Sequence, residues 1–531
     1  MESVAELPPG FAAKQRASRP RLSVDQGVKL FFGSNALVAI VVLALITIFL
    51  FREGFGFFGQ NLTNIRLYRQ SGLEYVDIMR RYADADAALS RGLNAIRLKQ
   101  LRVAQKQNVP LDQITASLAS YDQFATAFSD AAEPLNGVVS DAGDLASELK
   151  AQLAAQGGVL EHKADLEESG ASDAAAQLKV APVAYRELLA KLRESAPVYD
   201  SAAAAIQAQV TPLLDSTPQL PDEGTQKSFN TWKEQAREYL TGLTNGSAEL
   251  RAWSPDVPVP WYRAITSFLI GRDWVTASFW QDWYGIIPLF VGSVMVSLVA
   301  LVIAVPFGVM SAIYVSEVAA VQEKRLIKPF IEFISAIPSV VLGFFGIAVV
   351  GQAIRAASES PWLMKWVSFF PISERLNIFT AGSLLALMAV PTIFTLSEDA
   401  LRNVPRGFKE ASYALGANRL QTIARVLVPA ALSGIVSAIL LGLGRVIGET
   451  MVVLLCAGNR IQIPDFTEGL GAFFQPVHTM TGIIAQEMGE VVRGSIHYRA
   501  LFMVGLVLFV LTLGINYLAQ RLVARYRMSI G

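Results

Sequence analysis

Six stretches of this chain are long and apolar enough to cross a bilayer: roughly 31–51, 288–315, 331–354, 378–397, 429–456 and 500–520. About 20 apolar residues in helical form match the hydrocarbon thickness. Within it, backbone N–H and C=O groups must be paired inside the protein, which leaves helices or closed barrels as spanning structures. Runs of this length select helices, so the expected fold class is an all-α membrane protein with six transmembrane helices. Composition agrees, since 17% of residues are charged against about 25% in soluble domains. Pro306, Pro338 and Pro391 fall inside the runs and predict kinks that neighbouring helices must accommodate. The first run ends at Arg52 and Glu53 without a small-residue cleavage site. It therefore reads as a retained span rather than a signal peptide.

Lysine and arginine in short loops set orientation. The head (1–30), the loops 316–330 and 398–428 and the tail (521–531) hold 16 of them, against 6 in the opposite loops 355–377 and 457–499. Both termini are thus expected in the cytoplasm, and residues 52–285 outside it. That external segment is not apolar. It carries helical periodicity in Leu111, Ile114, Leu118, Tyr121, Ala125 and Phe128, in Leu145, Leu149 and Leu153, and in Leu188 and Leu192. Gly157-Gly158, Pro182, Pro197 and Pro218 punctuate it. A large helical extracytoplasmic insert between spans one and two follows, with 21 basic and 27 acidic residues over 52–263. The segment 251–263 (RAWSPDVPVPWYR) reads as the return to the membrane surface. The core of five spans then occupies 286–520.

Several classes of function are excluded. The formal net charge is zero, so no global field attracts nucleic acid. Cys456 is the single cysteine, so no internal disulfide forms. His162, His478 and His497 lack metal-ligand spacing. There is no G-x-x-x-x-G-K-[ST], no G-x-S-x-G and no H-E-x-x-H. No cofactor, metal or catalytic residue is expected, and transport or scaffolding is favoured over enzymology.

Two stretches carry the functional reading. Residues 398–428 form the largest internal loop between spans. Within it a helix follows Pro405, Ala411, Leu415 and Ala417 give it an apolar stripe, Gly416 breaks it, and a second helix is expected over 418–427. Such a pair can enter a groove of another protein. The second stretch, GRVIGET (444–450), sets Arg445 and Glu449 in the middle of an apolar run. Continuous helix would place both on one face, one turn apart, with Gly442, Gly444 and Gly448 admitting close approach. An arginine inside a membrane costs about 2.5–3.5 kcal/mol on insertion scales, so it needs a reason. One reading is a structural Arg445–Glu449 pair. The other is an anion site, since the guanidinium fork suits phosphate oxygens.

Glu410-Ala411-Ser412, three residues, Gly416, nine residues and Val426-Leu427-Val428-Pro429 resembles the EAA loop of ABC importer permeases. Ser412, Val426 and Val428 depart from the family pattern, all three by small or apolar replacements. GLGRVIGETMVVLLCAGN (442–459) resembles the phosphate importer permeases of the PstC type. So do ISAIPSVVLGFFG (334–346), AVPTIFTLSEDALRNVPR (389–406) and PVHTMTGIIAQEMGE (476–490). The resemblance covers the first span and 265–531, and leaves out about 60–255. It implies a type I importer permease in the bacterial inner membrane, with Glu410, Ala411, Ser412 and Gly416 docking on an ATPase subunit and Arg445, Glu449 and Thr450 on the substrate path. The implied partners are a homologous PstA-type permease, two PstB-type ATPase subunits, a PstS-type phosphate-binding protein and membrane lipid. Alternatives are a sister subunit, a permease for another oxyanion, or a membrane sensor using the external helical domain.

Overall fold

The computed structural model describes residues 24–106, 110–367 and 369–526. Residues 1–23 of the head and 527–531 of the tail, both assigned above to the cytoplasm, lie outside them. Among the described residues, six helices are long and apolar enough to cross a membrane: Phe31–Gln70, Ile287–Val318, Ser339–Ser358, Ile378–Arg402, Arg419–Gly448 and Ile496–Arg521.

Three spans depart most from the sequence reading, each for a local reason. The first helix does not stop at Phe51. It runs as one 47-residue element, Val24–Gln70, about 70 Å long at 1.5 Å per residue. Arg52 and Glu53 end the apolar stretch but are good helix formers, so only the solvent changes there. The third span begins at Ser339. The helix Val321–Ser335 ends two residues before Ile337, and Ile337 precedes Pro338, whose ring disfavours helical backbone at the residue before it. The fifth span starts at Arg419 and stops at Gly448 instead of running to Cys456. The helix expected over 418–427 forms, but as the first turns of span five: Arg419–Thr422 continues through a π-turn, Ile423–Leu427, into the span.

The insert is a bundle of antiparallel helices, chiefly Leu73–Lys106, Leu111–Asp130, Glu133–Glu168, Ser195–Asp215 and Glu223–Ala252. The expected stripes are its core. Ile114, Leu118, Tyr121, Phe128, Leu188 and Leu192 are buried. On the helix Glu133–Glu168 the buried face is Ala142, Ala146 and Leu149, with Leu145 and Leu153 half-buried. Gly157-Gly158 do not interrupt that helix. A mid-helix glycine costs about 1 kcal/mol, which the flanking Ala, Leu and Gln residues offset. Phe229 stacks on Trp232 at 5.6 Å, and Phe124, Phe128 and Tyr121 meet this pair edge-on. The Trp232 indole donates to the Leu89 carbonyl at 2.8 Å, so the large ring is buried with its polar atom satisfied.

The insert stands on the first helix. Gly72, at φ 79°, turns the chain from that helix into the next; a Cβ there would collide with Leu192. Arg69 grips Glu74 with two bonds, at 2.6 and 2.9 Å, and Arg263 reaches the same carboxylate at 3.2 Å. Burial alone would push the Glu74 carboxyl up, but these guanidinium groups outweigh it and hold it below the usual carboxylate range. A two-stranded ribbon, Trp274–Val275 with Trp283–Tyr284, then leads into span two.

The membrane core packs through small residues. A Cβ on Gly382 of span four would lie 2.6 Å from Val299 of span two, and one on Gly308 of span two 2.8 Å from Ile393 of span four. Glycine lets these backbones approach where lipid supplies no hydrophobic drive between helices.

Asp86 generates a prediction. It is 5% exposed inside the insert, its Oδ1 has no hydrogen-bond partner among the described residues, and burial raises its carboxyl to about 7. The folded state therefore keeps this proton to about pH 7, whereas the unfolded chain releases it near 3.8. Between those values the fold binds more protons, so stability falls as pH rises and levels off above 7. Asp86→Asn should remove that slope and stabilise the insert at pH 8 by a few kcal/mol, on the order of the shift's free energy. Hydrogen exchange of insert peptides at pH 5 and pH 8 in both proteins reads the difference.

Candidate functional site

Span five is apolar from Val428 and carries its single charge, Arg445, in its last turn. Close packing fixes this end of the helix: a Cβ on Gly442 would lie 2.8 Å from Ile393 of span four. Arg445 faces outward from the chain and is exposed. Its Nη1 donates to the Thr392 hydroxyl at 3.1 Å, one residue past Pro391 in span four.

The helix ends immediately after. Gly448 is the last helical residue, Glu449 is extended at ψ 133°, and a short helix, Met451–Cys456, resumes beyond Thr450. The break corrects the expected geometry. Arg445 and Glu449 do not share a helical face, and no ion pair joins them among the described residues. The Glu449 carboxylate turns instead to its own backbone, accepting from the Met451 N–H at 3.2 Å and so capping the new helix. The Thr481 hydroxyl donates to the Glu449 carbonyl at 2.9 Å and satisfies a group that continuous helix would have paired. Thr450 is half-buried beside the break, its hydroxyl 3.5 Å from the Gly448 carbonyl.

Thr481 lies in a buried polar turn. The Thr479 N–H donates to His478 Nδ1 at 3.0 Å, so Nε2 carries the proton toward Gln486 at 3.0 Å. The Met480 N–H donates to Ser293 of span two at 2.9 Å. Interrupted helices persist in membranes where protein or a cavity covers the freed backbone, and transporters use them at substrate sites. Sequence reasoning missed Thr392 and Thr481. Thr392 is a hydroxyl in an apolar run and Thr481 belongs to the polar stretch His478–Thr481, both far from Arg445 in the chain.

The second constellation is the loop after span four. Helix Arg406–Ala414 starts behind Pro405. Gly416 at φ 82° then reverses the chain, and the Asn418 side chain caps the next helix in a reciprocal pair with Gln421. The Ser412 and Thr422 hydroxyls bond at 2.9 Å and hold the two helices together. Ser412 is buried by this contact, whereas Glu410, Ala411 and Gly416 are exposed. Ala411, Ser412, Leu415 and Gly416 line a groove of about 520 Å³, with Leu415 89% exposed beside it. An apolar rim of this kind on a rigid helical pair is suited to protein contact.

The family described as the binding-protein-dependent transport system inner membrane component matches residues 304–528. The probable ABC transporter permease protein YqgH of Bacillus subtilis is 36% identical over 273 residues, covering 49% of this chain and 82% of that protein. The phosphate transport system permease protein PstC of Pasteurella multocida is 32% identical over 273 residues, with 50% and 82% covered. PstC of Haemophilus influenzae is 32% identical over 274 residues, with 50% and 83% covered. The chain belongs to the PstC-type permeases, inner-membrane components of binding-protein-dependent ABC transport systems.

Proposed function

We propose that this chain is one of two homologous permease subunits of an ATP-driven importer that carries inorganic phosphate into the cytoplasm. A PstA-type permease completes the path, two PstB-type subunits hydrolyse ATP, and a PstS-type protein delivers phosphate from outside. The head, the tail and the docking loop face the cytoplasm, and the insert stands on the outer side, as the distribution of Lys and Arg supports.

The observation that carries the substrate reading is Arg445. A guanidinium in an apolar span is costly, and the nearest acidic residue in sequence does not pair with it. Its one described bond, to Thr392, leaves donors of the fork free on the exposed side of the helix. A tetrahedral oxyanion moving between two permease subunits is a ligand of matching geometry and charge. Glu449 and Thr450 form the bend beside it, and Thr481 stabilises that bend.

The docking loop supplies the drive. Closure of the ATPase subunits moves the exposed groove around Ala411 and Gly416, and the chain carries this to spans four and five. Gly416 occupies a left-handed backbone that an L side chain enters at about 1–2 kcal/mol, and nothing lies within 4 Å of its Cβ position. Gly416→Trp should therefore leave the chain inserted but block the groove. ATPase activity should lose its response to phosphate-loaded binding protein, and unchanged uptake would remove the docking assignment.

Arg445→Gln should lower phosphate uptake by about tenfold to a hundredfold, the worth of a charged hydrogen bond, in a complex that still assembles. Arg445→Lys keeps the charge and loses the fork, so its uptake should fall less. The double variant Arg445→Gln/Glu449→Gln should transport no better than Arg445→Gln, because no pair is being repaired. Proteoliposome uptake of labelled phosphate measures all three, and recovery in the double variant would reinstate a structural pair.

A further inference from the structure

Span two ends in a π-turn, Tyr314–Val318, and both helices of the docking loop hold that end. The last carbonyls of a helix have no donor within it. Here Arg419, the first residue of the second loop helix, donates to the Glu317 carbonyl and, at 3.4 Å, to that of Val318. Lys324 donates to the Ser316 carbonyl at 3.0 Å. Cations at a helix C-terminus are favoured by its dipole. The Glu317 carboxylate, 10% exposed, takes Lys409 of the first loop helix at 2.5 Å and the Ser316 hydroxyl at 3.3 Å. One residue thus binds the loop on both sides of the Gly416 turn, through its side chain to Lys409 and through its carbonyl to Arg419.

We propose that Glu317 is a positioning residue for transport: it couples the docking loop to span two. The loop is joined covalently to spans four and five. Span two is not next to it in the chain, and the Lys409–Glu317 pair is the one ion pair linking them among the described residues. An exposed pair would slip under load because water competes for both charges. This carboxylate is largely shielded, so releasing Lys409 leaves its charge with only the Ser316 hydroxyl, and the two elements move together. Span two also packs on span four through Val299 and Gly382, so a pull on its end reaches the contacts around Thr392. The inference rests on the docking role proposed above for residues 406–417.

The test uses the full complex in liposomes, with its partner permease, ATPase subunits and binding protein, and reads phosphate accumulated per ATP hydrolysed. Glu317→Gln should keep the ATPase subunits bound and lower that ratio by about fivefold or more, the lower range of coupling effects. Lys409→Glu should do the same, and the exchanged pair Glu317→Lys/Lys409→Glu should restore it. A wild-type ratio in Glu317→Gln overturns the proposal. Should Glu317→Gln fail to assemble, the exchanged pair decides: recovered assembly with a recovered ratio supports coupling, and recovered assembly with a low ratio leaves only a structural role and overturns it. Failure of the docking reading is separate, since it would appear as normal uptake in Gly416→Trp with Glu317 untouched.

Discussion

A carbonyl without a donor costs several kcal/mol in hydrocarbon, and the backbone of the membrane half is arranged around that cost. Where the helices are regular, each group pairs within its own turn. Where they are interrupted, another element supplies the partner. At the Glu449–Thr450 break the donor is the Thr481 hydroxyl. At the end of span two it is Arg419 of the docking loop. The interruptions are therefore also the places where one segment of the chain depends on a distant one. These two interruptions sit at the sites with functional readings, the arginine bend and the loop after span four.

The insert obeys a different solvent. It hides aromatic and aliphatic stripes in its own core and leaves charge outside, as a water-soluble bundle does. Its attachment is rigid, because the helix that crosses the membrane continues without a break to Gln70. The shared carboxylate of Glu74 then ties that helix to the strand-leading segment near span two through Arg69 and Arg263. Both chain connections of the insert to the membrane half are fixed by one ion cluster.

Number and position of the spans were legible because transfer free energy sums over about 20 residues and tolerates local detail. Boundaries were not, since hydropathy reports the solvent preference of side chains and says nothing of backbone continuity. The run through Cys456 stays apolar across Glu449, so the break was invisible. The group that satisfies it, the Thr481 hydroxyl, lies 32 residues downstream. The same blindness put Arg445 and Glu449 on one helical face. The docking loop fared better at Gly416, whose left-handed backbone is a local property that glycine announces. It fared worse after it, where the expected second helix proved to be the first turns of span five. In the insert, the stripe around Leu118 and Phe128 is readable from periodicity, whereas Gly157-Gly158 carry a propensity cost of about 1 kcal/mol each that a long helix tolerates, so they do not mark a stop.

The most direct measurement is uptake by the reconstituted complex containing this chain, in liposomes loaded with ATP on the side of the ATPase subunits. Labelled phosphate should accumulate only with its binding protein present, and sulfate in excess should leave that accumulation intact. ATP hydrolysis without phosphate accumulation, or equal accumulation of sulfate, would contradict a phosphate-importing permease.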